Sequence, residues 1–315
     1  MEILTFIMRN TMVFMIPLMI VALGGLFSEK SGIINIALEG KMIIGAFTGI
    51  LTINLFQEQL PGTPILLIAM LVAIASGVLI SLLHAYASIN LKANQVISGI
   101  AINMFAPAFA IYVSRLVFGT QNISFSNQFR INSVPLLGGI PLIGPMFFQN
   151  SYLTTYIGFL ILVGSTFVLN QTKFGLRLRA CGEHPGAASS VGINVARMRY
   201  AGVLLSGALA GLGGLVFIIP ISVAFTGSVS GYGFLALAVL IFGAWNPIKI
   251  VFAAFFFGLL QTIAASHSAL PFLSGLNIPA HFYRMIPYVA TLILLAFTSR
   301  KTIAPKALGE VYDKE

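Results

Sequence analysis

Runs of apolar residues long enough to cross a bilayer recur along the chain, broken by polar intervals. A helical span needs about 20 mainly apolar residues, within a working range of about 17 to 25. Nine stretches are candidates: Thr11–Phe27, Met42–Phe56, Ile65–Ala87, Gln95–Phe118, Tyr152–Asn170, Ala201–Val223, Tyr232–Trp245, Ile248–Ala265 and Phe282–Thr298. Met42–Phe56 and Tyr232–Trp245 are short enough to be half-spans, or to be extended by flanking residues. The fourth candidate carries Asn103 and Pro107 near its middle and Arg115 near its end. Gly119 to Asn150 holds Pro135, Gly138, Gly139, Pro141, Gly144 and Pro145, which break any helix. It reads as an external or re-entrant segment (119–150). The expected fold is an all-α, polytopic transmembrane helix bundle of about nine spans (eight to ten), forming one domain over residues 1–315.

The polar intervals orient the bundle. Ser28 to Lys41 is polar enough to leave the hydrocarbon at least in part. The interval 173–199 holds five of the chain's cations, Lys173, Arg177, Arg179, Arg197 and Arg199. At its centre, Pro185 to Val191 is a run of small residues bracketed by Glu183–His184 and Gly192. Proline at a first helical position and glycine just past the end predict a short helix there. With this loop placed inside and the others alternated, thirteen Lys and Arg fall on the inner side. Four (Arg9, Arg115, Arg130 and Arg284) fall outside or face the membrane. That asymmetry is the positive-inside bias. It places the C-terminus in the cytoplasm and, with nine spans, the N-terminus outside. The tail from Arg300 to Glu315 reads as a solvated end.

Composition agrees. Of 315 residues, 58% are hydrophobic and only 8% charged, with mean hydropathy +0.97. Soluble domains carry about 25% charged residues. The pI near 9.9 follows from the basic inner loops, so lipid and not nucleic acid is the expected surroundings. The single cysteine, Cys181, excludes an internal disulfide, and the four histidines are too scattered for metal-ligand spacing. The first apolar stretch lacks the basic run and small-residue site of a cleaved signal, so it reads as a retained span. Ser206 to Gly214, SGALAGLGG, spaces small residues four apart, as close helix packing in membranes requires.

Chemistry-bearing patterns are few. HExxH, GxSxG and a phosphate-binding GxxxxGK[ST] do not occur, so neither an intramembrane enzyme nor a nucleotide-hydrolysing chain is expected. The eight acids lie almost all in loops or at ends, which weighs against an ion-coupled carrier. Glu39 sits near a span end, either as a loop-fixing acid or as a group that holds the backbone of a broken helix lining a pathway. Asn94, Gln95 and Asn103 are amides at or in the fourth span; they either bond a neighbouring helix or, for Asn103 beside Pro107, line a cavity. The run AFTGSVSGYGF, with Phe225 inside it, reads as a flexible outer connection.

Three stretches resemble a known family: SEKSGIINIALEGKMIIGAF (Ser28–Phe47), FGLRLRACGEHPGAASSVGINVARMRYAGVLLSGALAGLGG (Phe174–Gly214) and GYGFLALAVLIFGAWNPIKI (Gly231–Ile250). They are similar to the permease subunits of ABC importers for simple sugars, nucleosides and branched-chain amino acids. Within that branch the wording EKSGIINIALEG looks most like permeases that import nucleosides with basic-membrane-protein-type lipoproteins. The resemblance implies a multi-pass subunit of a bacterial plasma membrane. It implies a second, paralogous permease, a cytoplasmic ATPase and an external substrate-binding lipoprotein as partners. ATP and Mg would sit on the ATPase, with no cofactor on this chain. The loop would hold a coupling helix, with Glu183, His184, Pro185, Gly186, Ala187, Ala188 and Gly192 at the ATPase. An uncharged nucleoside asks for aromatic surfaces and amides, and Asn103, Phe105, Asn35 and Phe225, with Glu39, are the pathway candidates. A simple sugar such as ribose or galactose is the alternative cargo, and ion-coupled transport the alternative mechanism.

Overall fold

The computed structural model describes residues 2–126, 129–135, 137–141, 143–269, 279–298 and 304–313. Among these, seven helices are long and apolar enough to cross a membrane. They are α1 (Glu2–Lys30), α2 (Leu38–Phe56), α3 (Thr63–Ala85, prolonged by a wider turn at Tyr86–Asn90), α4 (Gln95–Phe118), α5 (Leu153–Gln171), α8 (Val195–Ile221) and α10 (Pro247–Ala265). Between them lie α6 (Lys173–Glu183), α7 (Pro185–Ser190) and α9 (Tyr232–Phe242), and α11 (Ala280–Thr298) follows. The bundle is helical, as expected, but the nine candidates do not all become full spans. Tyr232–Trp245 yields the 11-residue α9, which at 1.5 Å per residue reaches roughly 16 Å, about half of the ~30 Å hydrocarbon core. Phe282–Thr298 falls within α11.

Local chemistry sets the helix starts. Asn94 caps α4 by accepting from the amides of Val96 and Ile97. Asn194 caps α8 through Arg197 N–H, and Asn246 caps α10 through Ile248 and Lys249. Each satisfies amides that have no partner within the helix.

The centre is α8 packed on α1, α2 and α3. Here the small-residue spacing acts as expected, by letting backbones touch. A Cβ on Gly45 of α2 would lie 2.2 Å from the carbonyl of Gly211 on α8, and one on Gly77 of α3 would lie 2.1 Å from that of Gly207.

Three expectations need correction. Ser28 to Lys41 itself is mostly buried in the bundle: α1 runs to Lys30, residues 31–37 are irregular, and α2 begins at Leu38. Lys41, counted with the inner loop charges, is fully buried, because its ammonium donates to Asn35 inside the bundle. Arg199, counted with its neighbours among the inner-side cations, is also buried. Its Nη1 donates to Glu310 O at 2.9 Å, and its guanidinium lies over the Tyr312 ring. The tail that supplies those partners is therefore no solvated end, although Arg300, Lys301 and Lys314 lie outside the described residues. Ala307 N–H donates to Gly182 O and Gly309 N–H to Gly32 O, both at 2.9 Å, and Asp313 pairs with Lys92.

The segment 119–150 and the glycine-rich run are also more ordered than expected. Strand β1 (Ile123–Ser124) pairs antiparallel with β4 (Ala224–Phe225), and β2 (Arg130–Ser133) with β3 (Gln149–Tyr152). The flexible-connection reading of AFTGSVSGYGF gives way: Phe225 and Val229 are buried, and the run ends in the start of α9.

Candidate translocation and coupling sites

Side chains from several helices converge where the chain breaks helical geometry. Irregular backbone at membrane depth must have its polar groups satisfied by protein. The irregular stretch 31–37 meets that demand through side chains of α3 and α4. Gln95 Oε1 accepts from Ile34 N–H at 2.7 Å. His84 Nε2 lies 3.0 Å from Ile34 O, and its Nδ1 lies 3.0 Å from Ser98 Oγ. A carbonyl only accepts, so the histidine proton sits on Nε2 and Nδ1 accepts from the serine. Asn103 uses both ends of its amide: Nδ2 donates to Ile36 O at 2.9 Å, and Oδ1 accepts from Gly40 N–H at 2.7 Å. Asn35 is buried between Lys41 Nζ, which donates to its Oδ1 at 2.8 Å, and Ser206 Oγ, to which its Nδ2 donates at 2.6 Å.

Glu39 lies in the first turn of α2 and reaches across to the first turn of α9. Its Oε1 accepts from Gly231 N–H at 2.9 Å and its Oε2 from Gly233 N–H at 2.6 Å. The two helix starts touch backbone to backbone, since a Cβ on Gly233 would lie 2.4 Å from both Glu39 N and Cα. Two positive helix ends thus meet at one carboxylate, the charge that helix N-termini favour.

Beside this junction runs a ladder of four phenylalanines. Phe105 and Phe109, four apart on α4, stack at 5.3 Å; Phe109 meets Phe47 of α2 edge-on at 6.0 Å; Phe47 meets Phe225 at 6.4 Å. The ladder grades from a fully buried Phe225 to Phe105, half exposed at the surface of α4. Of the five candidate pathway residues, Phe105 and Phe225 share the ring ladder, while Asn103, Asn35 and Glu39 each hold hydrogen bonds in or around residues 35–41. Phe47 and Phe109 were missed; the Phe105–Phe109 spacing on a helix was the available signal.

The basic interval holds two helices where one was expected. α6 starts under Thr172, whose Oγ1 accepts from Gly175 N–H at 3.1 Å. α7 follows with Pro185 at its start, and Gly192, with φ of +83°, turns the chain out of it in a conformation that disfavours a side chain. Ala188 is buried with Cys181 and Val195, and burial pushes the Cys181 thiol up from its ordinary value. His184, Gly186, Ala187 and Gly192 are exposed, while Glu183 and Pro185 are half-buried. α7 is thus anchored by one face and open on the other.

At the same end of the bundle lies a contact that sequence reasoning passed over. Trp245, just past α9, donates its indole N–H to Glu29 Oε2 at 2.5 Å, with both residues buried. The lone tryptophan of the chain was the available pointer.

The family model for the permease component of branched-chain amino acid transport systems matches residues 7–295. The chain belongs to this family of ABC permeases. It is therefore a multi-pass membrane transport subunit and not an enzyme, with no cofactor of its own, and it works with an ATPase and a substrate-binding protein. It is 44% identical to the guanosine ABC transporter permease protein NupQ of Bacillus subtilis, over 99% of this permease and 98% of the relative. It is 40% identical to the nucleoside ABC transporter permease protein NupC of Lactococcus lactis, over 99% and 98%. The nucleoside ABC transporter permease protein NupB of the same bacterium is 26% identical, over 92% of the permease and 79% of the relative.

Proposed function

We propose that this permease forms half of the membrane pathway of an ATP-driven nucleoside importer. The other half is a second, paralogous permease, and an external lipoprotein delivers the substrate. The observation that carries the cargo class is the Glu39 junction beside the phenylalanine ladder. In transporters with broken helices, free half-helix N-termini receive anionic groups of the substrate. Here a carboxylate of the chain already holds the amides of Gly231 and Gly233, so an amino acid's carboxylate has no claim on them. The exposed end of the ladder, Phe105, offers a ring face to a planar base. The high identity to the guanosine and nucleoside permeases supports the same cargo. Asn103, Asn35 and Glu39 shape the pathway by fixing the irregular backbone beside it.

In the same reading the bundle makes nine crossings, with α9 and the extended run before it counted as one, and the end carrying α6 and α7 faces the cytoplasm. The open face of α7 docks on the ATPase. Gly186 tests this docking cleanly, because a Cβ there meets nothing within 4 Å. Gly186→Leu is expected to leave thermal stability within about 0.5 kcal/mol while abolishing ATPase association. Cargo is tested by uptake into liposomes holding the complete transporter, with labelled guanosine, adenosine, uridine and ribose. Nucleoside uptake that requires ATP is expected. Uptake without ATP overturns the importer reading, and ribose uptake alone overturns the nucleoside reading.

A further inference from the structure

We propose that Glu29 is a positioning residue for energy coupling: by gripping Trp245 it passes displacement of the α6–α7 segment to the half-helix α9, and so to the Glu39 junction. The inference rests on the coupling reading of α6–α7 given above.

The mechanical path is short. The end of α6 seats directly on the end of α1, since a Cβ on Gly182 would lie 2.4 Å from Lys30 O. The tail fastens the two by main-chain bonds on either side, Ala307 to Gly182 and Gly309 to Gly32. What moves α6 and α7 therefore moves the last residues of α1. Glu29 is one of those residues, and its side chain leaves α1 to meet the turn between α9 and α10.

That turn is built to transmit and not to yield. Ala244 and Trp245 both take left-handed backbone conformations, with φ of +47° and +51°. Such residues persist only where their surroundings over-determine them. α9 itself is an 11-residue helix held at both ends by carboxylates from other helices, Glu29 beyond its last turn and Glu39 at its first. A short rigid helix clamped in this way moves as one body. A buried acid is costly where an apolar side chain would fill the same space, so the retained hydrogen bond to the indole needs a purpose beyond packing.

The test uses the whole transporter in liposomes, with both permeases, the ATPase and the binding protein, and reads ATP hydrolysis and labelled guanosine uptake together. Glu29→Ala is expected to lower nucleoside moved per ATP about tenfold in complexes that still assemble. Glu29→Gln keeps an oxygen that accepts from the indole and is expected to restore coupling to within about threefold. Trp245→Phe, which keeps a ring but loses the donor, is expected to match Glu29→Ala, and the double variant to be no worse than either single one. Wild-type coupling in Glu29→Ala overturns the proposal, as do a Gln variant as uncoupled as the Ala variant and single defects that add. Should Glu29→Ala fail to assemble, Trp245→Phe decides: intact coupling there overturns the proposal, and an uncoupled but assembled complex supports it. A wild-type complex that takes up ribose in place of guanosine refutes the nucleoside reading alone, and the variants are then read with ribose.

Discussion

α1, α2 and α8 differ from α4, α5 and α10 in burial far more than in hydrophobicity. In the apolar windows of the first three, 89%, 78% and 78% of residues are buried; in the second three, 22%, 28% and 33%. Hydropathy does not separate them, because α4 and α10 are more apolar than α2. Lipid is as apolar as a leucine, so a membrane bundle sorts its inner helices by the backbone approach that small residues allow. Glycines line the inner contacts of α2, α3 and α8, and large side chains such as Met104, Leu160 and Phe252 stand on the outer helices. The inner group carries the broken backbone, which side chains of α3 and α4 help to satisfy, and the outer group leaves large apolar side chains exposed.

The sharpest way to break this contrast is a side chain at the inner contact. Gly211→Val places carbon where Ala73 O lies 2.3 Å from a bare Cβ. The nearest atoms, of Ala73 and Gly77, are all backbone, so the loss is expected to exceed the roughly 1–3 kcal/mol of ordinary overpacking and to remove folded protein from size-exclusion profiles in detergent. Next comes the network itself. Glu39→Ala leaves the buried amide of Gly233 and the half-buried amide of Gly231 without their carboxylate, at about 1–3 kcal/mol for the buried one. Uptake is expected to fall at least about tenfold, and Glu39→Gln, which keeps one acceptor, to fall less. Phe105→Ala probes the border between the groups. Loss of a stacking face of about 0.5–1.5 kcal/mol is expected to raise KM for guanosine several-fold with little change in thermal stability; unchanged kinetics here and in Asn103→Ala would sink the pathway assignment. The smallest effect is expected at Leu160, 71% exposed on α5. Leu160→Ala is expected to shift stability by no more than about 0.5 kcal/mol, and a larger loss would show that this face is covered by protein.

The long apolar runs were legible because a bilayer imposes a length on every span. The close packing of Gly207 and Gly211 was legible for the same kind of reason, since small residues four apart have one common use in membranes. Lys41 and Arg199 were misread because a charge count treats every cation as solvated, and a single sequence does not say which cation finds an acceptor such as Asn35 Oδ1 or Glu310 O. The meeting of Glu39 with Gly231, 192 residues on, depends on two breaks that end at the same depth. Neither break carries a sign of the other. The tail was misread for a different reason. Its bonds to Gly32 and Gly182 run through the main chain, and main-chain bonds leave no mark on side-chain composition.

That tail also sets a clock. Translation proceeds from residue 1 onward, so Gly32 and Gly182 exist long before Ala307 and Gly309 are made. The end of the bundle that carries α6 and α7 is fastened only when these late residues emerge. A chain cut short before Ala307 keeps every earlier helix in its sequence and still lacks this staple between Gly32 and Gly182.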